Sequence, residues 1–80
     1  MSDNLITETD AQEEIMHSMM DRLESLSAHN RCAKGIMEAI QKSSLAYEVS
    51  MFAGLPMDTS SINDSDFLAM VCNGCAEWDI

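Results

Sequence analysis

The chain has 80 residues, of which 14 are acidic and four are basic, so its formal net charge is −10 at pH 7. Nucleic acids and anionic membranes are bound through Lys and Arg, and this charge therefore argues against direct binding to either. No apolar run approaches the ~20 residues that span a membrane, and no signal-peptide pattern opens the chain, which together predict a cytoplasmic protein.

The first predicted element is a helix over residues 10–27. Thr9 or Asp10 can serve as its N-cap, and Gln12 or Glu13 can complete a capping box. Six apolar residues then recur at helical spacing and fall within about 140° of arc, which predicts an amphipathic helix with one buried face. These residues are Ile15, Met16, Met19, Met20, Leu23 and Leu26.

The second predicted helix covers residues 31–52 and has Asn30 as its cap. Its main apolar face consists of Ala33, Ile36, Met37, Ile40, Tyr47 and Met51. A second apolar stripe lies on the opposite side of its C-terminal half and consists of Leu45, Val49 and Phe52. A helix that is apolar on two sides packs between other helices or at a subunit interface, so the second stripe is a candidate dimer seam. Gly35 is predicted to permit a close helix crossing.

The third predicted helix covers residues 62–78 and follows a loop, GLPMDTSS, at residues 54–61. Ser61 and Asp64 have the spacing of a capping box at its start. One face of this helix carries its large apolar residues together with a cysteine, namely Phe67, Leu68, Val71, Cys75 and Trp78. The pattern predicts that this face packs on the other two helices.

Taken in chain order, these elements predict an all-α protein, a three-helix bundle that can dimerise through its second helix. Residues 1–8 lack periodicity and are predicted to form a disordered acidic tail ahead of a single helical domain at residues 9–80. The predicted helices cover residues 10–27, 31–52 and 62–78.

The three cysteines are too few, and odd in number, for a disulfide framework. Cys75 falls on the apolar face of the third helix and Cys72 at its edge, which favours packing over redox chemistry. An alternative is a structural zinc site, because His29 and Cys32 have the same spacing as Cys72 and Cys75 and complete a Cys3His set. Both pairs fall in or beside helices rather than in tight turns, so we expect no metal and no cofactor.

The first helix also carries a stripe of carboxylates opposite its apolar face. This acidic stripe comprises Asp10, Glu13, Glu14, Asp21 and Glu24, with His17 among them. Along a helix it covers about 21 Å, or one charge per ~4 to 5 Å, close to the ~3.4 Å between phosphates on one DNA strand. It is therefore either an ordinary solvated face or a mimic of a phosphate backbone.

No nucleophile with a base and an orienting group can be read from the sequence, and no Gly-rich phosphate loop is present, so we expect no enzymatic activity. The charge instead predicts a partner protein with a basic, nucleic-acid-binding surface. In size, acidity and helical class the chain is similar to anti-CRISPR and anti-restriction proteins of phages and plasmids, which block host nucleases. This similarity implies an inhibitor that binds through the acidic stripe.

Two other functions stay open at this point. The surplus of methionines and the stripe of Leu45, Val49 and Phe52 are compatible with a homodimeric helical adaptor or regulator that uses an apolar interface. The Cys3His set is compatible with a zinc-stabilised helical module.

Overall fold

A computed structural model describes the backbone of residues 8–80 and the side chains of residues 11–80. It contains α1 (Glu8–Ser27), α2 (Arg31–Ser43), α3 (Ala46–Ala53), a single 3₁₀ turn (Thr59–Ser61) and α4 (Asp64–Glu77). No strand occurs in the described range, which confirms the all-α class. None of these helices has the length and apolar content that a membrane-spanning segment needs. The predicted tail lies outside the described residues except for Glu8, where α1 begins.

The apolar face predicted for α1 is used for packing. Met19, Leu23 and Leu26 are buried, and α1 contacts both α2 and α3. Near the start of α1, the side-chain amide of Gln12 donates to the hydroxyl of Ser50 at 3.0 Å. These contacts fix which side of α1 faces the solvent.

The predicted second helix is interrupted, so the described residues form four α-helices rather than three. Ser44 adopts a left-handed conformation (φ 61°) and its N–H donates to the carbonyl of Ile40 at 3.0 Å, which ends α2. The hydroxyl of Ser43 accepts from the N–H of Leu45 at 3.3 Å. A serine side chain that bonds to nearby backbone groups offers the chain an alternative to the helical pattern, and the hydroxyl of Ser43 does so at this turn.

The predicted dimer seam, Leu45, Val49 and Phe52, is not an exposed surface as a whole. Val49 has no exposed surface and belongs to the core of its own chain, and Leu45 is partly buried against that core. Phe52 is half exposed. The three residues therefore do not form a continuous exposed stripe, because this side of α3 packs on other helices of the same chain, with Val49 against Gly74 of α4.

Of the three predicted helix caps, one is confirmed. Neither Thr9 nor Asp10 caps α1, because the helix already begins at Glu8. The side chain of Asn30 accepts from the N–H groups of Cys32 at 2.9 Å and Ala33 at 3.2 Å, as predicted. At α4 the cap is Asn63, which accepts from the N–H of Asp66 at 2.7 Å, and not the predicted Ser61. Ser61 belongs to the 3₁₀ turn, where its hydroxyl donates to the carbonyl of Asp58 at 2.8 Å.

The close helix crossing occurs at Gly74 and not at Gly35. A Cβ atom added at Gly74 would lie 2.5 Å from the carbonyl oxygen of Val49 and 3.1 Å from the backbone nitrogen of Ala53, both on α3. A Cβ atom added at Gly35 would meet nothing within 4 Å. The absence of a side chain at Gly74 therefore allows α4 to pack directly on the backbone of α3.

A buried cluster joins the four helices and the loop that precedes α4. It comprises Met19, Leu23, Leu26, Ala33, Ile40, Val49, Ala53, Leu55, Phe67, Val71 and Cys75. Arg22 borders this cluster and holds the loop in place. Its guanidinium donates to the carbonyls of Thr59 and Ile62 and to Asp64, and it lies 4.7 Å from the centre of the Phe67 ring.

Candidate protein-interaction site

The acidic stripe lies on the solvent side of α1. Glu13, Glu14, Asp21 and Glu24 are exposed, as is His17 among them. Asp10 belongs to α1, but its side chain lies outside the described part of the structure. The exposed carboxylates therefore occupy the face of the helix that is not used for packing.

These carboxylates are not neutralised by basic side chains of the described residues. One ion pair is formed within residues 11–80, between Arg22 and Asp64 at 2.8 Å, and it does not involve the carboxylates of the stripe. Arg22 follows Asp21 in the chain, but its guanidinium is committed to the loop before α4. The remaining basic residues, which are Arg31, Lys34 and Lys42, all belong to α2. The negative charges of the stripe are thus exposed to solvent and are not compensated by a basic side chain of the described residues.

The stripe is held on a well-anchored helix. Glu13 and Glu24 are separated by about 17 Å along the axis of a regular helix. Met19 and Leu23, which lie between them in the chain, have no exposed surface and anchor this segment in the core. Carboxylates on such a helix keep a nearly constant spacing, which a flexible acidic tail would not provide.

The thiols occupy a different part of the molecule. Cys32, Cys72 and Cys75 all line a groove between α2 and α4, of about 440 Å³. The packing role predicted for Cys72 and Cys75 is confirmed for Cys75, which is buried, and is wrong for Cys72, which is exposed. Cys32 is exposed as well. Burial raises the pKa of the Cys75 thiol, and the nearby Cys72 raises it further. A raised pKa favours the neutral thiol over the thiolate, which is the nucleophile in redox catalysis.

The Cys3His set that the sequence offered as an alternative zinc site does not come together. His29 is exposed and does not line the groove that the cysteines share. In the described portion of the chain, no three His, Cys, Asp or Glu side chains are arranged so that they could hold a metal ion. The common spacing of the two pairs in the sequence therefore does not translate into tetrahedral geometry.

A third surface feature was not predicted from the sequence. Among the side chains of residues 11–80, five large apolar ones are exposed, namely Met51, Phe52, Met57, Trp78 and Ile80. Phe52 and Trp78 pack edge to face with ring centres 5.6 Å apart. The prediction that Trp78 lies on the buried face of the third helix is wrong in part, because α4 ends at Glu77 and Trp78 is 37% exposed.

Comparison with known proteins found no family model, no curated protein and no solved structure that matches this chain. The case for a function therefore depends on the physical properties of these three surfaces. They are the acidic stripe on α1, the groove between α2 and α4, and the exposed apolar side chains around Phe52 and Trp78.

Proposed function

We propose that this protein binds the basic, nucleic-acid-binding surface of a partner protein and inhibits it, with the acidic stripe of α1 in place of a phosphate backbone. The observation that carries the proposal is a set of exposed carboxylates on one face of α1 without a basic partner among the described residues. This is the mode of action of anti-CRISPR and anti-restriction inhibitors that resemble nucleic acid in charge.

The composition of the exposed face of α1 supports this proposal over an ordinary solvated surface. Soluble helices commonly alternate Glu with Lys or Arg at a spacing of three or four residues, and these pairs stabilise the helix. Arg22 is the one basic residue between Glu8 and Ser27, and it points to the loop before α4. The solvent side of α1 consequently has one sign of charge and no local compensation.

The charge of the whole molecule supports the same function. A net charge of −10 attracts a basic surface over a distance of about one Debye length, ~8 Å at physiological salt, and so accelerates association. His17, in the middle of the stripe, is exposed and supplies a ring that can contact a partner. We include it with Asp10, Glu13, Glu14, Asp21 and Glu24 in the proposed binding surface.

The test is charge reversal within the stripe. Replacement of Glu13, Glu14 and Asp21 by Lys is expected to abolish capture of the partner from a host extract, because each reversal turns an attraction into a repulsion. The fold is expected to survive, since all three side chains are exposed. Capture is measured at low and high salt, and the captured protein is then challenged with a short duplex DNA or RNA, which is expected to displace it.

A matched control separates the stripe from total charge. Replacement of Glu38, Glu77 and Asp79 by Lys changes the net charge by the same amount at exposed positions outside α1. This control is expected to retain the partner. Retention of the partner by the stripe variant, or failure of nucleic acid to displace it, would show that phosphate mimicry is not the mechanism.

A second candidate function, a homodimeric adaptor, is favoured by the exposed apolar residues rather than by the predicted seam. Phe52 and Trp78 contact each other while presenting 50% and 37% of their surfaces to solvent. Exposed aromatic side chains that are already packed together are typical anchors of protein interfaces. Sedimentation of the wild type and of Phe52→Ser over a range of concentrations tests this alternative. A monomer at every concentration rules it out.

A further inference from the structure

The groove between α2 and α4 has the size of a small-molecule site. Its volume is about 440 Å³, within the ~300 to 1,000 Å³ of typical ligand pockets. Ile36 and Ala39 line it from α2, and Ala76 and Ile80 line it from α4 and the residues after it. Its walls are mostly apolar, so an occupant must bury hydrocarbon to bind there.

The charge of the groove differs from that of the rest of the molecule. Among the described residues that line the groove, one side chain is charged, and it is the basic Arg31. In the chain as a whole, acidic residues outnumber basic ones by 14 to four. No carboxylate within residues 11–80 forms an ion pair with Arg31. The groove therefore presents a guanidinium beside an apolar surface, and a guanidinium binds a carboxylate through two parallel hydrogen bonds.

We infer that this groove binds a single-chain aliphatic carboxylate of the fatty-acid class. Its carboxylate contacts Arg31, and its chain follows the apolar walls past Ile36 and Ala39. A methylene group occupies a volume similar to that of a water molecule in the liquid, which is ~30 Å³. The groove therefore accommodates a chain of roughly ten carbons or more. This site is independent of the acidic stripe, which lies on α1.

Other occupants of the groove fit its chemistry less well. A metal ion would need at least three ligands close together, which the described side chains do not provide. A phosphorylated or polyanionic ligand would bury little hydrocarbon and would find one guanidinium only. A carboxylate with an apolar chain uses both properties of the groove.

The first measurement is a calorimetric titration of the full chain with dodecanoate, below its micelle concentration and at about 0.15 M salt, where charge repulsion is screened. We expect saturable binding of one dodecanoate per chain. A signal that does not saturate, or the absence of binding, overturns the inference. Circular dichroism during the titration checks that the helices stay formed, and loss of helix on addition of dodecanoate also overturns it.

Gly35→Leu is the decisive variant, because it adds an apolar side chain to the lining of the groove at a position where a Cβ atom has open space. Gly35 lines the groove, and a Cβ atom at this position meets nothing within 4 Å. Leucine also favours a helix more than glycine does, so the variant is expected to fold. Its affinity for dodecanoate is expected to fall at least tenfold. Gln41→Leu, which adds the same side chain at an exposed position of α2 outside the groove, should bind normally.

Arg31→Gln tests the carboxylate contact and is expected to weaken binding about tenfold. Its control is Lys42→Gln, which removes the same charge from the last turn of α2, away from the groove. Equal effects of the two substitutions would show that only net charge matters and would contradict the proposed contact with Arg31.

The exposed thiols report directly on the location of the ligand. Cys32 and Cys72 line the groove and are exposed, so a maleimide is expected to modify both, and saturating dodecanoate is expected to slow this reaction at both. Mass spectrometry resolves the two sites. Unchanged rates in the presence of bound dodecanoate would place it elsewhere. If sedimentation showed instead that Gly35→Leu separates a dimer, a second copy would be the occupant and the inference would be wrong.

Discussion

Arg22 is the residue on which the position of the loop before α4 depends most. Its guanidinium reaches two backbone carbonyls, one carboxylate and an aromatic ring, and its side chain is 18% exposed. Asp64 is largely exposed, so the ion pair itself contributes less than about 1 kcal/mol. The hydrogen bonds to the carbonyls of Thr59 and Ile62 carry most of the stabilisation.

Replacement of Arg22 by Met is expected to lower the free energy of unfolding by about 2 to 3 kcal/mol, because it leaves both carbonyls without their donor. Lys34→Met serves as the control, since Lys34 is exposed on α2. Urea unfolding followed by circular dichroism measures both variants. A loss in Arg22→Met no larger than that in Lys34→Met would contradict the role given to Arg22.

Single residues also show which local predictions succeed. Asn30 was predicted as a cap because the signal lies within three residues, and the structure confirms it. The prediction that Ser61 caps α4 is wrong. Its hydroxyl donates to the carbonyl of Asp58 within a 3₁₀ turn, and Asn63 caps α4 instead. Where two polar residues compete for the same helix start, the neighbouring turn decides between them.

At the scale of elements, the contact between α3 and α4 depends on a glycine whose role the sequence did not reveal. Gly35 and Gly74 both lie inside helices and look equivalent by propensity. Only at Gly74 does the backbone of another helix occupy the space of the missing side chain. This difference depends on how α4 is placed against α3, and no local pattern encodes it.

The two glycines therefore have opposite expected effects when replaced by Ala. Gly35→Ala should raise the free energy of unfolding by up to about 1 kcal/mol, because Ala favours a helix. Gly74→Ala should lower it by about 1 to 3 kcal/mol, since the added methyl group meets the backbone of α3. Thermal unfolding of the two variants beside the wild type measures the difference. Effects of the same sign would refute this account of the crossing.

The break between α2 and α3 has the largest consequence for the candidate sites. The sequence left open whether Leu45, Val49 and Phe52 pack between helices or at a subunit interface. After the turn at Ser44, α3 buries Val49 within its own chain and leaves Phe52 beside Trp78. The exposed side chains around Phe52, and not the predicted seam, are therefore the apolar surface that a second copy can contact.

At the scale of the whole molecule, the net charge of −10 opposes compaction, because like charges are brought together when the chain folds. Raising the ionic strength from about 0.01 M to 0.15 M shortens the Debye length from ~30 Å to ~8 Å. We expect this change to stabilise the protein. A gain of about 1 kcal/mol corresponds to a rise in Tm of roughly 4 to 8 °C for a domain of this size.

The stripe variant, with Glu13, Glu14 and Asp21 replaced by Lys, provides the comparison for this prediction. Its net charge is much smaller, so its Tm is expected to depend less on salt. Scanning calorimetry at the two ionic strengths measures both proteins. If the wild type showed no increase in Tm with salt, self-repulsion would not be a significant term in its stability.

The sequence by itself determined the helical class of this protein and the surface on which its proposed function rests. Both follow from residues three or four positions apart on one helix, such as the buried Met19 and Leu23 and the exposed Asp21 and Glu24 of α1. Cys75 is a similar case, because its position on an apolar face predicts its burial.

Only the tertiary structure decided how distant segments meet. The hydrogen-bond partners of Arg22 lie 37 to 42 positions away along the chain. The three cysteines and Arg31 line one groove because α2 and α4 come together there. Periodicity reports which side of a helix is apolar, but not which helix covers it or what space is left between them. That space, beside Gly35 and Arg31, is set by the packing of the whole chain.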